Sequence, residues 1–494
     1  MKKNKKNKSI IAQLISIRAS IKQKRRQKRH SSSKRQPEKP VQTPRVPRKF
    51  RKYQNSNNTN FSANKKKAIS YKKLDLVNNY LPKNLRYITE TNDSPFSLKS
   101  IREEKYSSEG FILIPEKFSI LDKDTAAESY ETLRKIISAL LLENNADVTL
   151  DYANCKNVEL STQVLLDVIL KDFVAFQNRC EKINRQRQNL FPQIGGKNIN
   201  DESVHNLLFS VGTPVVLGIK EKESSEIIKY KLRTHNNQSD KDDSKRMAQK
   251  ELDTTEMADY VINCLKRMNK KLTPEKLNDL CTVIGEVLIN AEEHSTTQYR
   301  FSIGYFKEEK DNNNHFGLFR LVILNFGKTI YEKFKSDDCP NKEIVNRMNN
   351  LSKNYTKKSW FRSGEFEEES LWTLYALQEG VTSVSQESYK RGNGSIRFID
   401  SFFNIKGSQQ ADDISLMSIV SGRTRIVFDG KYGITERTNS DGEQFKVMTF
   451  NQSGDIEDKP DIDYVIHSKN YFPGTIISAK LLLNDDDIQQ ILNT

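Results

Sequence analysis

Glu286-Val287-Leu288-Ile289-Asn290-Ala291-Glu292-Glu293-His294 is the stretch on which the reading of this 494-residue chain turns. Around it Leu277, Leu280, Ile284, Val287, Leu288 and Ala291 recur at three- and four-residue spacing, which predicts a helix over 274–294 with one face in a core. Thr273 stands where a cap is needed and Pro274 at the first helical position. Against that apolar pattern Glu286, Asn290 and His294 fall every fourth residue, so they project as one polar stripe. A carboxylate one turn from a carboxamide suits a nucleotide site. The amide oxygen can hold Mg²⁺ against a triphosphate, and the carboxylate can take the proton from an attacking hydroxyl or water. A solvated face on a surface helix produces the same stripe, so the helix alone leaves both readings open.

Two segments further along narrow the choice. Strands are expected over Tyr299 to Phe306 and Phe316 to Leu324, joined by the turn-rich Asp311-Asn312-Asn313-Asn314. Directly after the second come Asn325-Phe326-Gly327-Lys328-Thr329-Ile330, a polar residue and a glycine at the end of a strand. Later, Arg391-Gly392-Asn393-Gly394-Ser395 precedes the helix-like run Ile396 to Phe403. Glycines there let backbone N–H groups approach an anion, and the start of a helix adds about 0.3–1 kcal/mol of favourable field. The strand-like Arg425 to Phe428 and Ile476 to Ala479 complete the expectation of a mixed sheet covered by helices.

In this order the segments resemble the GHKL superfamily, the ATP-binding domain of histidine kinases, gyrase B, MutL and anti-sigma-factor serine kinases. Glu286 to His294 is similar to its N-box and Asn325-Phe326-Gly327 to its first glycine box. Leu377-Gln378-Glu379-Gly380 resembles the start of its nucleotide lid, and Arg391-Gly392-Asn393-Gly394 its second glycine box. Phe472-Pro473-Gly474-Thr475 resembles its closing Gly-Thr strand, so the resemblance spans about 255 to 485. It implies an α/β sandwich of the Bergerat type that binds ATP and Mg²⁺. Glu286 would be the catalytic base, and Asn290 would bind both nucleotide and metal. Asn325, Gly327, Gly380, Arg391, Gly392 and Gly394 would line the nucleotide. The chain departs from the family at Asn325, where an Asp accepts from the adenine amino group, and at Thr329, where the second glycine stands. Loss of a charge-assisted bond implies about tenfold to a hundredfold weaker binding.

Upstream, a strand at Phe111 to Ile114, a helix from Thr125 to about Leu142, a strand at Val148 to Leu150 and a helix beginning at Ser161 alternate as in an α/β layer, with Asp151 in the loop after a strand. A helix near Val204 to Phe209 and a strand at Val215 to Leu217 are expected to follow. Leu150 to Thr162 resembles the strand, loop and helix start of STAS domains, which implies Ser161 as a phospho-acceptor. A serine that only caps the helix explains the same residue.

Charge is concentrated at one end. Of 80 Lys and Arg, 18 lie in residues 1–50 with Glu38 as the one acid, a balance of +17; the other 444 residues carry 62 basic and 63 acidic side chains. Residues 1–70 read as a disordered basic tail. Within them Ile10, Ile11, Leu14, Ile17 and Ile21 keep helical spacing just before the run Lys24 to Arg29. Such a segment suits an anionic membrane surface or a nucleic acid, and a solvated tail remains the alternative. Five cysteines with no regular spacing argue against a disulfide framework and a zinc site, and no apolar run reaches membrane-spanning length.

The expected organisation is a tail at 1–70, a STAS-like α/β domain at 108–220, a charged linker at 221–252 and a GHKL-type domain at 253–494. The expected function is that of a cytoplasmic ATP-binding regulatory protein with ATPase or anti-sigma-type serine-kinase activity acting on an unidentified protein partner. A histidine autokinase is disfavoured, because no sustained heptads surround His205 or His235. A non-catalytic nucleotide-responsive scaffold and a nucleic-acid-acting ATPase are the alternatives, and a homodimer is left open.

Overall fold

The computed structural model describes residues 62–183, 190–219, 224–236, 242–293, 295–311, 314–356, 365–381, 394–405, 415–438, 442 and 444–484. The chain is a mixed α/β protein with a small parallel sheet, a large antiparallel sheet and helices between and outside them. Residues 1–61 of the expected tail lie outside the described residues. Helix α1 spans Ser62–Tyr80, so it takes in residues 62–70 of the expected tail, and it buries Leu76 and Val77.

After α1 come α2 (Lys83–Glu90) and α3 (Leu98–Glu104). The α/β part follows as β1 (Phe111–Leu113), β2 (Lys117–Phe118), α4 (Ala126–Leu141), β3 (Asp147–Asp151), β4 (Asn157–Val158), α5 (Leu160–Ile183) and β5 (Gln193–Lys197). It closes with α6 (Glu202–Ser210) and α7 (Thr213–Val216). Strands β1, β3 and β5 form a parallel sheet in the order β1-β3-β5, with Phe111 opposite Thr149 and Thr149 opposite Gly195. The short β2 and β4 pair separately in parallel. Val215 to Leu217, expected as a strand, is instead the end of a helical turn. Gly212 stands at its cap and Pro214 in its first turn, and a three-residue apolar run cannot distinguish the two periods.

The second part begins with β6 (Ile227–His235), α8 (Asp243–Arg267) and α9 (Pro274–Glu293), and continues with β7 (Arg300–Asp311) and β8 (Asn314–Phe326). Helices α10 (Ile330–Lys335), α11 (Lys342–Thr356), α12 (Glu368–Ala376) and α13 (Gly394–Ile405) come next. The last strands are β9 (Leu416–Phe428), β10 (Thr435–Thr438), β11 (Gln444–Val447) and β12 (Val465–Asn484). Five strands form one sheet in the order β6-β7-β8-β12-β9, and every pairing in it is antiparallel, which corrects the expectation of a mixed sheet. The segment 221–252, expected as a linker, supplies the edge strand β6 and the first turns of α8. In β6 the apolar Ile228, Tyr230 and Leu232 alternate with Lys229, Lys231 and Arg233, a charged edge of the kind that discourages further pairing.

The alternation along β8 shows how the layers stack. Val322, Leu324 and Phe326 join the apolar cluster built by α1, α2, α4 and α5, whereas Phe319, Leu321 and Ile323 join one built by α8, α9, α12 and α13. Helix α4 packs on β1 and β3 and α5 packs on α4, β8 and β12, so both helices lie between the two sheets. Every residue from Ser161 to Leu170 is therefore buried, including polar ones. Among the described residues no helix is long and apolar enough to cross a membrane, and none of the five cysteines is in a disulfide.

One buried acid in α5 sets a pH dependence. Asp167 accepts hydrogen bonds at Oδ1 from Thr213 Oγ1 (2.6 Å) and Gln163 Nε2 (2.7 Å), while Oδ2 is buried with no hydrogen-bond partner among the described residues. Burial outweighs both bonds and pushes the carboxyl up to about 7. The folded state thus holds this proton more tightly than the unfolded chain, and stability should fall as pH rises from about 4 to about 7. Asp167→Asn should remove that slope and be more stable than the native chain at pH 8. The native difference between pH 5 and pH 8 attributable to this group is on the order of 2–3 kcal/mol, measurable from urea unfolding at the two pH values. Parallel pH profiles for the two proteins would refute this.

Candidate functional site

Helix α9 forms as its apolar spacing requires, burying Leu280, Val283, Ile284, Val287, Leu288 and Ala291 against β7, β8, α8 and α13. On its flank Glu286 and Asn290 lie half-buried one turn apart. Glu286 Oε2 is a buried oxygen with no hydrogen-bond partner among the described residues. His294, the third member of the stripe, lies outside the described residues.

The turn after α9 is tied to the end of β8. Ser295 Oγ donates to the Phe326 carbonyl at 3.0 Å, and the Lys328 N–H donates to Thr296 Oγ1 at 3.2 Å. The C-terminal end of the Glu286/Asn290 helix is thereby set beside Asn325-Phe326-Gly327. Gly327 donates its N–H to the Pro473 carbonyl at 3.3 Å, linking the same turn to β12. Next to it Gly474 has φ of 150°, and a Cβ there would overlap the Asn325 carbonyl oxygen, so β12 passes β8 at this point only as glycine. At Thr329, where the resemblance wants a second glycine, the side chain accepts from the Glu332 N–H and Glu332 accepts from the Thr329 N–H. This capping box starts α10 at once, which accounts for the threonine.

Register places a polar row across one end of the large sheet. Asn325 on β8 lies opposite Arg300 on β7 and Thr475 on β12, Arg300 lies opposite His235 on β6, and Thr475 lies opposite Ser421 on β9. By the alternation of β8, Asn325 faces the layer of α8 and α9. It is 2% exposed and its Nδ2 has no hydrogen-bond partner among the described residues. Ser421 Oγ and Thr475 Oγ1 are 3.0 Å apart.

Arg300 is fully buried. Its Nη2 donates to Asp253 Oδ2 of α8 at 2.8 Å and lies 3.9 Å from Glu292 Oε2 of α9. His235 Nδ1 meets the same Asp253 oxygen at 2.8 Å, and Gln249 Nε2 donates to Oδ1 at 2.7 Å. Burial pushes the Asp253 carboxyl up, but the His235 hydrogen bond and the charges of His235 and Arg300 win, holding it below the usual carboxylate range. None of these four charged or polar partners was read from the sequence as part of a site. The available signal was Arg300 itself, an arginine at a core-facing position of a strand, which demands buried counter-charges.

The other expected residues divide. Gly380, in a left-handed conformation at φ 77°, follows α12, and Gly394 opens α13, which packs on α9. Arg391 and Gly392 lie outside the described residues. Ser161 sits on the opposite face of the large sheet and is fully buried, its N–H and Oγ both donating to Glu159 Oε1 at 3.0 Å. Ser478 of β12 reaches the same oxygen at 3.5 Å. The expectation that Ser161 caps α5 is corrected: Glu159 does so, since its other oxygen accepts from the Thr162 N–H at 3.1 Å.

No family model, no curated protein and no solved structure matches the chain.

Proposed function

We propose that residues 253–494 bind ATP with Mg²⁺ and that the chain is a regulatory protein with ATPase or anti-sigma-type serine-kinase activity. The observation that carries this reading is the convergence at one sheet end of α9, the turn Asn325 to Gly327 and Thr475, where Glu286 Oε2 and Asn325 Nδ2 are buried and have no hydrogen-bond partner among the described residues. The donor set fits the ligand. Asn325 and Thr475 offer oxygens to an adenine amino group, and the Asn290 oxygen is suited to Mg²⁺. Bound Mg²⁺ would neutralise charge developing on the phosphates. Glu286 would take the proton from the attacking water or hydroxyl, its carboxylate held half-buried on a rigid helix. Calorimetric titration with ATP, with and without Mg²⁺, tests the proposal. Asn290→Ala should weaken only the metal-dependent part, and no binding at millimolar ATP would end the reading.

The replacement Asn325→Asp probes the base contact. Arg300 stands opposite and its Nε and Nη1 have no hydrogen-bond partners among the described residues, so a carboxylate at 325 can stay ionised although buried. ATP should then bind about tenfold more tightly, about 1.4 kcal/mol, and GTP, which presents a carbonyl at that position, more weakly. Unchanged or weaker ATP binding would show that residue 325 does not meet the base.

A second reading, the non-catalytic switch, is favoured by the alternation on β8. Asn325 faces the proposed site while its neighbours Leu324 and Phe326 pack against the N-terminal helices, so a ligand that moves this strand acts on both layers. A phospho-acceptor role for Ser161 requires those layers to part, because the hydroxyl is enclosed between them.

A further inference from the structure

Among the described residues the small parallel sheet is covered on one face only. Ile112, Val148 and Leu150 point into the core under α4, but on the other face Phe111 is 48% and Leu113 47% exposed. The same face carries Thr149 opposite Phe111 and Gly195 opposite Thr149, and a Cβ built on Gly195 would meet nothing within 4 Å. Lys197 extends across it, its Nζ 4.6 Å from the centre of the Phe111 ring. Parallel sheets are normally buried on both faces, so a bare face with two large apolar side chains is the exception that needs an occupant.

Three strands at about 4.8 Å spacing make a strip about 10 Å wide, the width of one helix. The sequence contains a segment of matching chemistry: Ile10, Ile11, Leu14, Ile17 and Ile21, spaced to form one apolar helical stripe and followed by Lys24-Arg25-Arg26-Gln27-Lys28-Arg29. The place where the chain enters the fold also suits it. Helix α1, the first described element, meets the edge from which the strands start. Asn144 Nδ2 donates to Ser70 Oγ at 3.4 Å, and Lys73 donates to the Glu143 carbonyl. About 40 residues separate Ile21 from Ser62, enough for a root-mean-square span of roughly 35 Å. At that same edge Glu109 and Asp147 are exposed, acids to face the basic run.

We propose that residues 9–21 of the same chain dock as a helix on the open face of the small sheet, covering Phe111 and Leu113, with the run at 24–29 lying toward Glu109 and Asp147. The inference stands independently of the nucleotide reading. Hydroxyl-radical footprinting of the full chain tests it by measuring oxidation of Phe111 and Leu113. In a chain lacking residues 1–21 both should be oxidised at least fivefold faster. The full chain carrying Leu14→Asp and Ile17→Asp should show the same increase, and these tail changes leave the sheet itself unaltered. Adding a peptide of residues 8–22 to the truncated chain should restore protection. Equal oxidation in the full and truncated chains would overturn the proposal. Protection that fades on dilution would overturn it in favour of the tail of a second copy.

Discussion

Arg300→Ala should cost about 3–5 kcal/mol of stability, a large part of the 5–15 kcal/mol that holds a typical domain folded. The side chain is fully enclosed, and its removal takes the guanidinium from beside two buried carboxylates, Glu292 and Asp253, of which Asp253 keeps His235 and Gln249. The cost arises from the charges left behind. The double variant Arg300→Ala with Asp253→Ala should therefore be more stable than the single Arg300→Ala, an inversion that ordinary loss of packing does not produce. Urea unfolding of native, single and double variants decides it. A single variant within 1 kcal/mol of the native chain would show that the network is a passenger.

Glu286→Gln should lower ATP turnover by about 10²–10⁴-fold while changing the affinity for Mg²⁺ and ATP no more than about threefold. Glutamine keeps the shape of the side chain and an acceptor oxygen but cannot take a proton. Since Glu286 Oε2 has no hydrogen-bond partner among the described residues, no such bond to that oxygen is lost with the charge. Turnover is followed by phosphate release and affinity by calorimetry on the same samples. If both fall together, Glu286 binds rather than reacts. If the native chain binds ATP and turns none over, the switch reading replaces the enzyme.

Helix α9 was legible because six apolar residues at helical spacing leave one solution, and the strand end at Asn325 because a polar residue and a glycine interrupt an apolar run. Strand β6 was not. Its Lys229, Lys231 and Arg233 raise the polarity of the segment to that of a linker, and only the alternation with Ile228, Tyr230 and Leu232 distinguishes it. The buried cluster was hidden for a different reason. Asp253 and Arg300 are 47 residues apart and meet only through the packing of α8 on the sheet, a tertiary fact with no local periodicity. Glu159 displaced Ser161 as the cap of α5 because a longer carboxylate reaches two N–H groups from two residues further back.

The place of β12 bears on how the molecule is made. It lies between β8 and β9 in the sheet, yet it is the last of the five in the chain, and Gly474 pairs with Phe326 across almost 150 residues. Until it arrives, β8 and β9 each present an unpaired ladder, and the long loop must close before those pairings return any free energy. Refolding should accordingly pass through a slow, concentration-sensitive phase in which two sticky strand edges compete between capturing their own last strand and capturing a neighbour's.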